Sequence, residues 1–337
     1  MTNPHASTPY AREVAVALDA VRQAGRLCRS VQDELDPGVL EKKDRSPVTV
    51  ADFGSQALVC EVLARAFPDD PVIGEENADS LREPDNAALL STIVGHVRVQ
   101  RPEASSDEVL GWIDLGSERA YSSRFWTLDP IDGTKGFLRG EHYAVALGLI
   151  VDGELVASAL ACPNLGLTID GPRGTGTVFT AVRGHGCWIW EMEADSAPVP
   201  ARTTDLGDPI GMRFCQSVEK AHSSQDDATH IANHLGVTAA GVKVDSQVKY
   251  GAVARGDADA YLRLPRNLEY KEKIWDHAAG ALVVTEAGGR VTDIRGRDLD
   301  FSKGYQLEDN LGVIVTNGRL HDAVLGALKD LGIEGQA

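Results

Sequence analysis

Residues 143–163 read YAVALGLIVDGELVASALACP. Two aliphatic runs flank Asp152-Gly153, a dipeptide suited to a tight hairpin turn whose central residues both need positive φ. The pattern predicts two antiparallel strands. GTVFTAVRGHGCWIWE, residues 176–191, repeats it with Gly184 at the turn. Adjacent hairpins imply an antiparallel sheet. The GTG at 174–176 has no helix after it, so we do not read it as a dinucleotide fingerprint.

Just upstream lies WTLDPIDGTKGF, residues 126–137. Two aspartates flank a Pro-Ile pair, and Gly-Thr follows at once. Loop chemistry explains part of this: Pro sets φ, Gly supplies unusual backbone angles, and Asp caps local N–H groups. A cation site built partly from backbone is the sharper reading.

Toward the N terminus, Val14, Leu18, Val21, Gly25, Cys28 and Val31 recur on one helical face, and Pro37-Gly38 ends that helix. A second helix carries Phe53, Ala57, Cys60, Ala64 and Phe67, with Asp52 opening it. PVIGEE, 71–76, reads as a short strand ending in acids. Residues 78–124 are the least regular part of the chain, a helix mixed with a polar loop, read as an insertion or lid-like excursion. MEADSAPVPARTTDLGDP, 192–209, is rich in Pro, Thr and acids. It marks a boundary between an N-terminal α+β domain, 1–206, and a C-terminal α/β domain, 207–337. Beyond it strands and helices alternate: IGMRFCQSV, a helix near 224–235, VKVDS, ADAYLRLP, a helix from Asp276 closed by Gly288-Gly289, GVIVTN, and a last helix from about His321.

The chain has 337 residues, 43% of them hydrophobic and 25% charged, which suits an ordinary globular protein of two domains or one large α/β unit. A net charge of −17 argues against nucleic acid or a membrane surface as partner. No run approaches the roughly 18 to 20 apolar residues of a membrane helix. The opening MTNPHASTPYAREV lacks a signal-peptide pattern. Cys28, Cys60, Cys162, Cys187 and Cys215 are scattered without zinc spacing, so we expect reduced thiols in a cytoplasmic protein. No obligate protein partner is evident.

Acids gather at element ends: Asp52, Glu75 with Glu76, Asp129 with Asp132, and Asp276. Each alone could be a cap or a turn former. Brought together without cations they would repel and resist ionisation. Oxygen-only ligands suit Mg²⁺, and two such ions could hold a phosphate and acidify a water.

DPIDGT at 129–134, GEE at 74–76, SPVTVAD at 46–52 and WDHAAG at 275–280 together resemble the inositol monophosphatase superfamily of lithium-sensitive, magnesium-dependent phosphatases. The resemblance implies a two-domain layered αβαβα sandwich of the inositol monophosphatase/fructose-1,6-bisphosphatase type. It implies two or three Mg²⁺ ions held by Glu75, Asp129, the carbonyl of Ile131, Asp132 and Asp276. It gives Asp52 and Thr134 the task of positioning and deprotonating the attacking water. SVEKAHSS at 217–224, DSQVKYG at 245–251 and YLRLP at 261–265 are similar to the bisphosphate nucleotidase branch. By that resemblance Thr134, His222, Ser246, Lys249 and Arg263 bind a small nucleotide bisphosphate. Lys249 and Arg263 would neutralise the phosphate outside the metal cluster. The expected activity is removal of the 3′-phosphate of adenosine 3′,5′-bisphosphate, with the sulfated nucleotide as a second substrate. The alternatives are an inositol phosphate phosphatase of the same superfamily and a binder that senses the nucleotide without hydrolysing it.

Overall fold

The computed structural model describes residues 3–34, 46–193, 196–217, 225–265 and 267–333. A seven-stranded sheet forms the middle of the N-terminal part: β1 (Val72–Gly74), β2 (Arg124–Asp132), β3 (Ala144–Val151), β4 (Glu154–Cys162), β5 (Thr177–Val182), β6 (Cys187–Glu191) and β7 (Val199–Pro200), in that spatial order. β1 joins β2 in parallel, and the remaining pairs are antiparallel. Both predicted hairpins are present. Asp152 and Gly153 turn the first at φ 52° and 81°.

Alternation along β3 builds two cores. Val145, Leu147 and Leu149 join a cluster with α1 (Ala11–Asp33) and α2 (Ser46–Ala66) on one face. Ala144, Ala146 and Ile150 join the opposite cluster, as successive side chains of a pleated strand must. α2 begins at Ser46, so Asp52 does not open that helix as its sequence position suggested; it lies in the helix interior, beyond the N-terminal turn.

The lid expectation for 78–124 is overturned. α3 (Ala87–Arg98) and α4 (Ser106–Asp114) pack on α2, and Ile93, Val94, Val97, Val109 and Ile113 belong to the first core. A Ser105–Glu108 capping box starts α4. A short helix, α5 (Thr134–Leu138), follows β2 and touches α2.

After residue 207 the chain builds two smaller sheets. β8 (Cys215–Gln216) pairs in parallel with β9 (Val242–Lys243), so among the described residues IGMRFCQSV contributes only a two-residue strand. α6 (Gln225–His234) precedes β9, and α7 (Val248–Arg255) follows it. β10 (Ala260–Arg263), β11 (Arg290–Thr292) and β12 (Val313–Thr316) form an antiparallel sheet with β12 in the centre. β11 had no sequence signal of its own. Asp276 ends a 3-10 turn, Ile274–Asp276, and α8 (Ala278–Glu286) starts two residues later.

α8 is buried from Ala278 to Val284 because sheets cover both sides of it: β3, β4 and β5 on one, β11 on the other. A helix wet on one face would show a polar stripe, and this one has none. β12 divides its side chains likewise, with Val313 and Val315 facing α8's core and Ile314 facing α9 (His321–Asp330) and α6. The order of layers is therefore helix, sheet, helix, sheet, helix, the expected αβαβα sandwich. Among the described residues no helix is long and apolar enough to cross a membrane. All five cysteines are free and buried.

Candidate active site

Asp129 and Asp132 sit an odd number of residues apart, which on a regular strand aims them at opposite faces. The register of β2 against β3 slips between them: Asp129 pairs with Ala146 and Asp132 with Ala144. The extra residue is a β-bulge, and it allows both carboxylates to line the same cavity. Pro130 fits a bulge because no ladder N–H is required there. Ser55 of α2 fixes the turn by donating its hydroxyl to the Pro130 carbonyl at 2.9 Å. Ile131 also borders the cavity while its side chain packs in the helix-side core. Gly133 follows with φ 98°, and a Cβ there would come within 2.7 Å of the Ser246 Cβ. Only glycine suits that turn, which starts α5 at Thr134.

Glu75 leaves the end of β1. Gln56 of α2 clamps the adjoining backbone: its Nε2 donates to the Glu76 carbonyl at 2.7 Å, and its Oε1 accepts from the Glu76 N–H at 3.1 Å. Asp132 accepts the Gln247 N–H at 2.6 Å. The Gln247 side chain in turn binds the Trp275 carbonyl at 2.9 Å and the Gly280 N–H at 3.2 Å. One glutamine thus ties the DPIDGT turn to the WDHAAG segment. Ser246, just before it, holds a positive φ of 62°, a strained backbone of the kind found at functional sites.

These elements enclose a cavity of about 430 Å³. Glu75, Asp129, Asp132 and Asp276 line it with Ile131. Thr134, Ser246, Lys249 and Arg263 line it as well. Asp52 is not on its wall, although it is close enough for Glu76 and Glu75 to act on its charge. His222 lies outside the described residues. Sequence reasoning missed Lys135, Asp245 and Tyr270, which also border the cavity. Lys135 and Asp245 directly adjoin residues already singled out, so proximity in the chain was the available signal. Arg119, from the unmatched 78–124 segment, reaches the acid corner too: its Nη2 is 3.4 Å from the Glu75 carbonyl and its guanidinium lies 5.5 Å from the Trp275 ring centre. No motif announced it.

Burial and mutual repulsion set the electrostatics. Burial first, then the charges of Asp276, Glu76 and Asp132, push Glu75 up to about 8, although a hydrogen bond with Asp129 opposes the rise. Asp129 is 2% exposed and rises far above the usual carboxylate range for the same reasons. Its Oδ1 has no hydrogen-bond partner among the described residues. Asp276 is pushed to about 6 by burial, against the pull of Arg263. Carboxylates crowded on one cavity wall, one of them buried with an orphaned oxygen, and no nitrogen or sulfur donor between them fit a hard divalent cation. Glu272, Asp276 and His277 also bring ligand atoms within 4.8 Å of one another. There the Glu272 oxygen already faces Arg263 and His277, so we read that group as an ion network. Lys249 is 6% exposed, its Nζ 4.8 Å from the Tyr261 ring centre, and burial lowers its pKa.

A pH dependence of stability follows. Glu75 and Asp276 have folded pKa values raised above their unfolded ones. Their contribution to stability is full below the unfolded pKa and is lost as pH rises through the folded values. Buried His5 and His321, both lowered to about 4, act the opposite way, losing stability as pH falls below about 6.5. Between about pH 6.5 and 8 the unfolded imidazoles finish losing their protons, so the histidines still gain stability there while the acids lose it. The acids are read from the difference: across that window metal-free protein should lose about 1 kcal/mol relative to protein saturated with Mg²⁺, a modest figure because Glu75 is partly solvated, or roughly 2–4 °C in melting temperature. Parallel profiles with and without Mg²⁺ by calorimetry would contradict the acid repulsion.

With this geometry in place, the relationship to known proteins is clear. The Inositol monophosphatase family model matches residues 10–332. The chain belongs to that family, a family of metal-dependent phosphatases. It is 45% identical over 344 residues to a "3'(2'),5'-bisphosphate nucleotidase" of Oryza sativa, covering 96% of both chains. It is 42% identical over 332 residues to the protein of that name from Schizosaccharomyces pombe, covering 94% of both. Among solved structures it resembles Mycobacterium tuberculosis SuhB, with a TM-score of 0.63 at 22% identity, covering 98% of this chain and 100% of that one. CysQ from Bacteroides thetaiotaomicron superposes with a TM-score of 0.57 at 22% identity, covering 90% and 97%. At that identity these two establish the fold alone.

Proposed function

We propose that this protein is a Mg²⁺-dependent 3′(2′),5′-bisphosphate nucleotidase that hydrolyses adenosine 3′,5′-bisphosphate to AMP and phosphate, and accepts 3′-phosphoadenosine 5′-phosphosulfate as well. One observation carries the reading: a single cavity is lined by both an acid cluster with surplus negative charge and the cations Lys249 and Arg263. A substrate with two phosphates needs both. Divalent ions can bridge one phosphate to the acids, and the other needs fixed positive charge.

In this reading Glu75, Asp129, Asp132 and Asp276 hold two or three Mg²⁺ ions, with Ile131 contributing its carbonyl. Bound Mg²⁺ would neutralise phosphate oxygens and acidify an attacking water. Asp52 and Thr134 work as one unit: the Thr134 hydroxyl orients the water, and Asp52, on the helix against which α5 packs, takes its proton. Displacement is in line and needs no phosphoenzyme. Ser246, Lys249, Arg263 and His222 hold the nucleotide. The same reading divides the chain at 206/207, after the last strand of the large sheet.

The test is a substrate panel with Mg²⁺: adenosine bisphosphate, its sulfated form, inositol 1-phosphate and inositol 1,4-bisphosphate. Lys249→Ala should raise KM for adenosine bisphosphate about 10- to 100-fold with kcat within about threefold, the cost of losing a desolvated charge-assisted bond. Turnover of inositol 1-phosphate without turnover of the nucleotide would instead favour an inositol phosphatase. Product analysis separates both from a non-hydrolysing binder.

A further inference from the structure

We infer that Glu272 is a positioning residue for substrate binding: it holds the Arg263 guanidinium in place for the second phosphate and keeps it from being drawn wholly onto Asp276. This rests on the reading of Arg263 given above.

Arg263 ends β10 at the cavity wall between two acids. Its Nε lies 2.8 Å from Glu272 Oε2, and its Nη2 lies 3.5 Å from Asp276 Oδ2. Tyr261 and Tyr270 stand close enough for the guanidinium to act on their hydroxyls. The shorter contact is to the acid that does not line the cavity. That matters because Asp276 belongs to a cluster with surplus negative charge. A guanidinium tethered only by its flexible stem would move toward that cluster, giving up the position from which it can meet a phosphate.

Glu272 is built to be a fixed anion. It is 6% exposed. Burial alone would raise its pKa, but the hydrogen bond and charge of His277 and the charge of Arg263 prevail and bring it to about 2. His277 Nε2 lies 3.2 Å from the same Oε2, and His277 Nδ1 is 2.7 Å from the Tyr250 hydroxyl. A carboxylate only accepts, so Nε2 must carry the proton it shares with Glu272. Nδ1 and the Tyr250 hydroxyl close the link on the other side of the ring. Both aromatic groups are essentially buried, His277 at 0% and Tyr250 at 1% exposure. The chain Tyr250, His277, Glu272, Arg263 thus links two residues of the cavity wall through the protein interior, with one anion at its pivot. Glu272, nearly buried and held between a guanidinium and an imidazole, has one favoured position.

The experiment is a double-mutant cycle in the 337-residue chain with Mg²⁺. Glu272→Gln should raise KM for adenosine bisphosphate about 5- to 20-fold with kcat within about twofold, the split expected when only substrate binding is affected. In an Arg263→Ala background the same change should alter KM less than about twofold, because Glu272 then has no guanidinium left to position. Glu272→Asp keeps the charge but shortens the reach, and should recover part of the affinity. It replaces Glu272→Gln in the cycle if thermal melts show that variant unfolded. An unchanged KM, a loss falling mainly in kcat, or a full-sized effect without Arg263 overturns the inference. If the wild type uses inositol 1,4-bisphosphate and not the nucleotide, the functional reading fails, and the cycle is read on that substrate, which also carries a second phosphate. A wild type confined to monophosphates overturns both.

Discussion

Asp129→Asn is expected to cut turnover by about 10³-fold or more while raising the melting temperature of the metal-free protein by about 3–6 °C. The two effects share a cause. Asp129 is 2% exposed, its Oδ1 has no partner among the described residues, and Glu75, Asp132, Asp276 and Asp52 all act on its charge. Folding must bring these acids together, and without a cation the repulsion persists. Asn keeps the shape and removes one charge. Its Nδ2 can donate to Glu75, replacing the proton that Glu75 and Asp129 share in the acid pair. With Mg²⁺ the ranking should reverse, because a ligand bound only by the folded state stabilises it and the variant has lost a donor. Calorimetry with and without Mg²⁺, beside a phosphate-release assay, checks both. A metal-free melting temperature at or below that of the wild type would show that Asp129 does not carry the strain assigned to it.

The large sheet was readable because it depends on local signals. Asp152-Gly153 and Gly184 specify turns, and the nearly unbroken apolar runs of β3 and β4 mark strands packed on both faces. The layers beyond it were only partly readable. α8 is apolar on every side, so only its Gly288-Gly289 end and Asp276 start stood out, and the start was misplaced by two residues. Asp276 stays in a 3-10 turn, and the helix begins only after it. β11 is three residues long and mostly wet, too short for a period to register. Residues 78–124 looked irregular because α3 and α4 are short and amphipathic, with polar loops around them. Their burial against α2 is a tertiary fact that no local pattern contains.

The site divides in the same way. DPIDGT was legible as a turn with two acids, but the bulge that aims both at one cavity appears only in the pairing with β3. Glu75, Asp276, Lys249 and Arg263 come from distant segments, and family resemblance alone brought them together beforehand. Glu272 and His277 flank the WDHAAG acid, yet their work is visible only once Arg263 is seen between Glu272 and Asp276. Arg119 had no signal at all. Asp52 is the instructive case. Its assumed place at a helix start suggested a capping role, whereas the structure sets it inside α2, where a negative charge gains nothing from the helix terminus.

That placement makes Asp52→Asn the second large expectation. Burial, with repulsion from Glu76 and Glu75, raises its pKa well above the carboxylate range, which suits a group that must take a proton. Asp52→Asn should lower kcat by about 10²- to 10³-fold with KM within about threefold, since it does not line the cavity. Thr134→Ala should cost about as much if the two act as one unit. The decisive measurement is the double variant. Groups sharing one proton transfer lose their joint effect once, so the pair should be no slower than the worse single variant by more than about threefold. Multiplicative losses would mean that Thr134 and Asp52 serve separate steps. The family's water-activating pair would then have to be sought elsewhere on the acid corner, with Glu76 the nearest candidate because its pKa is also raised by burial.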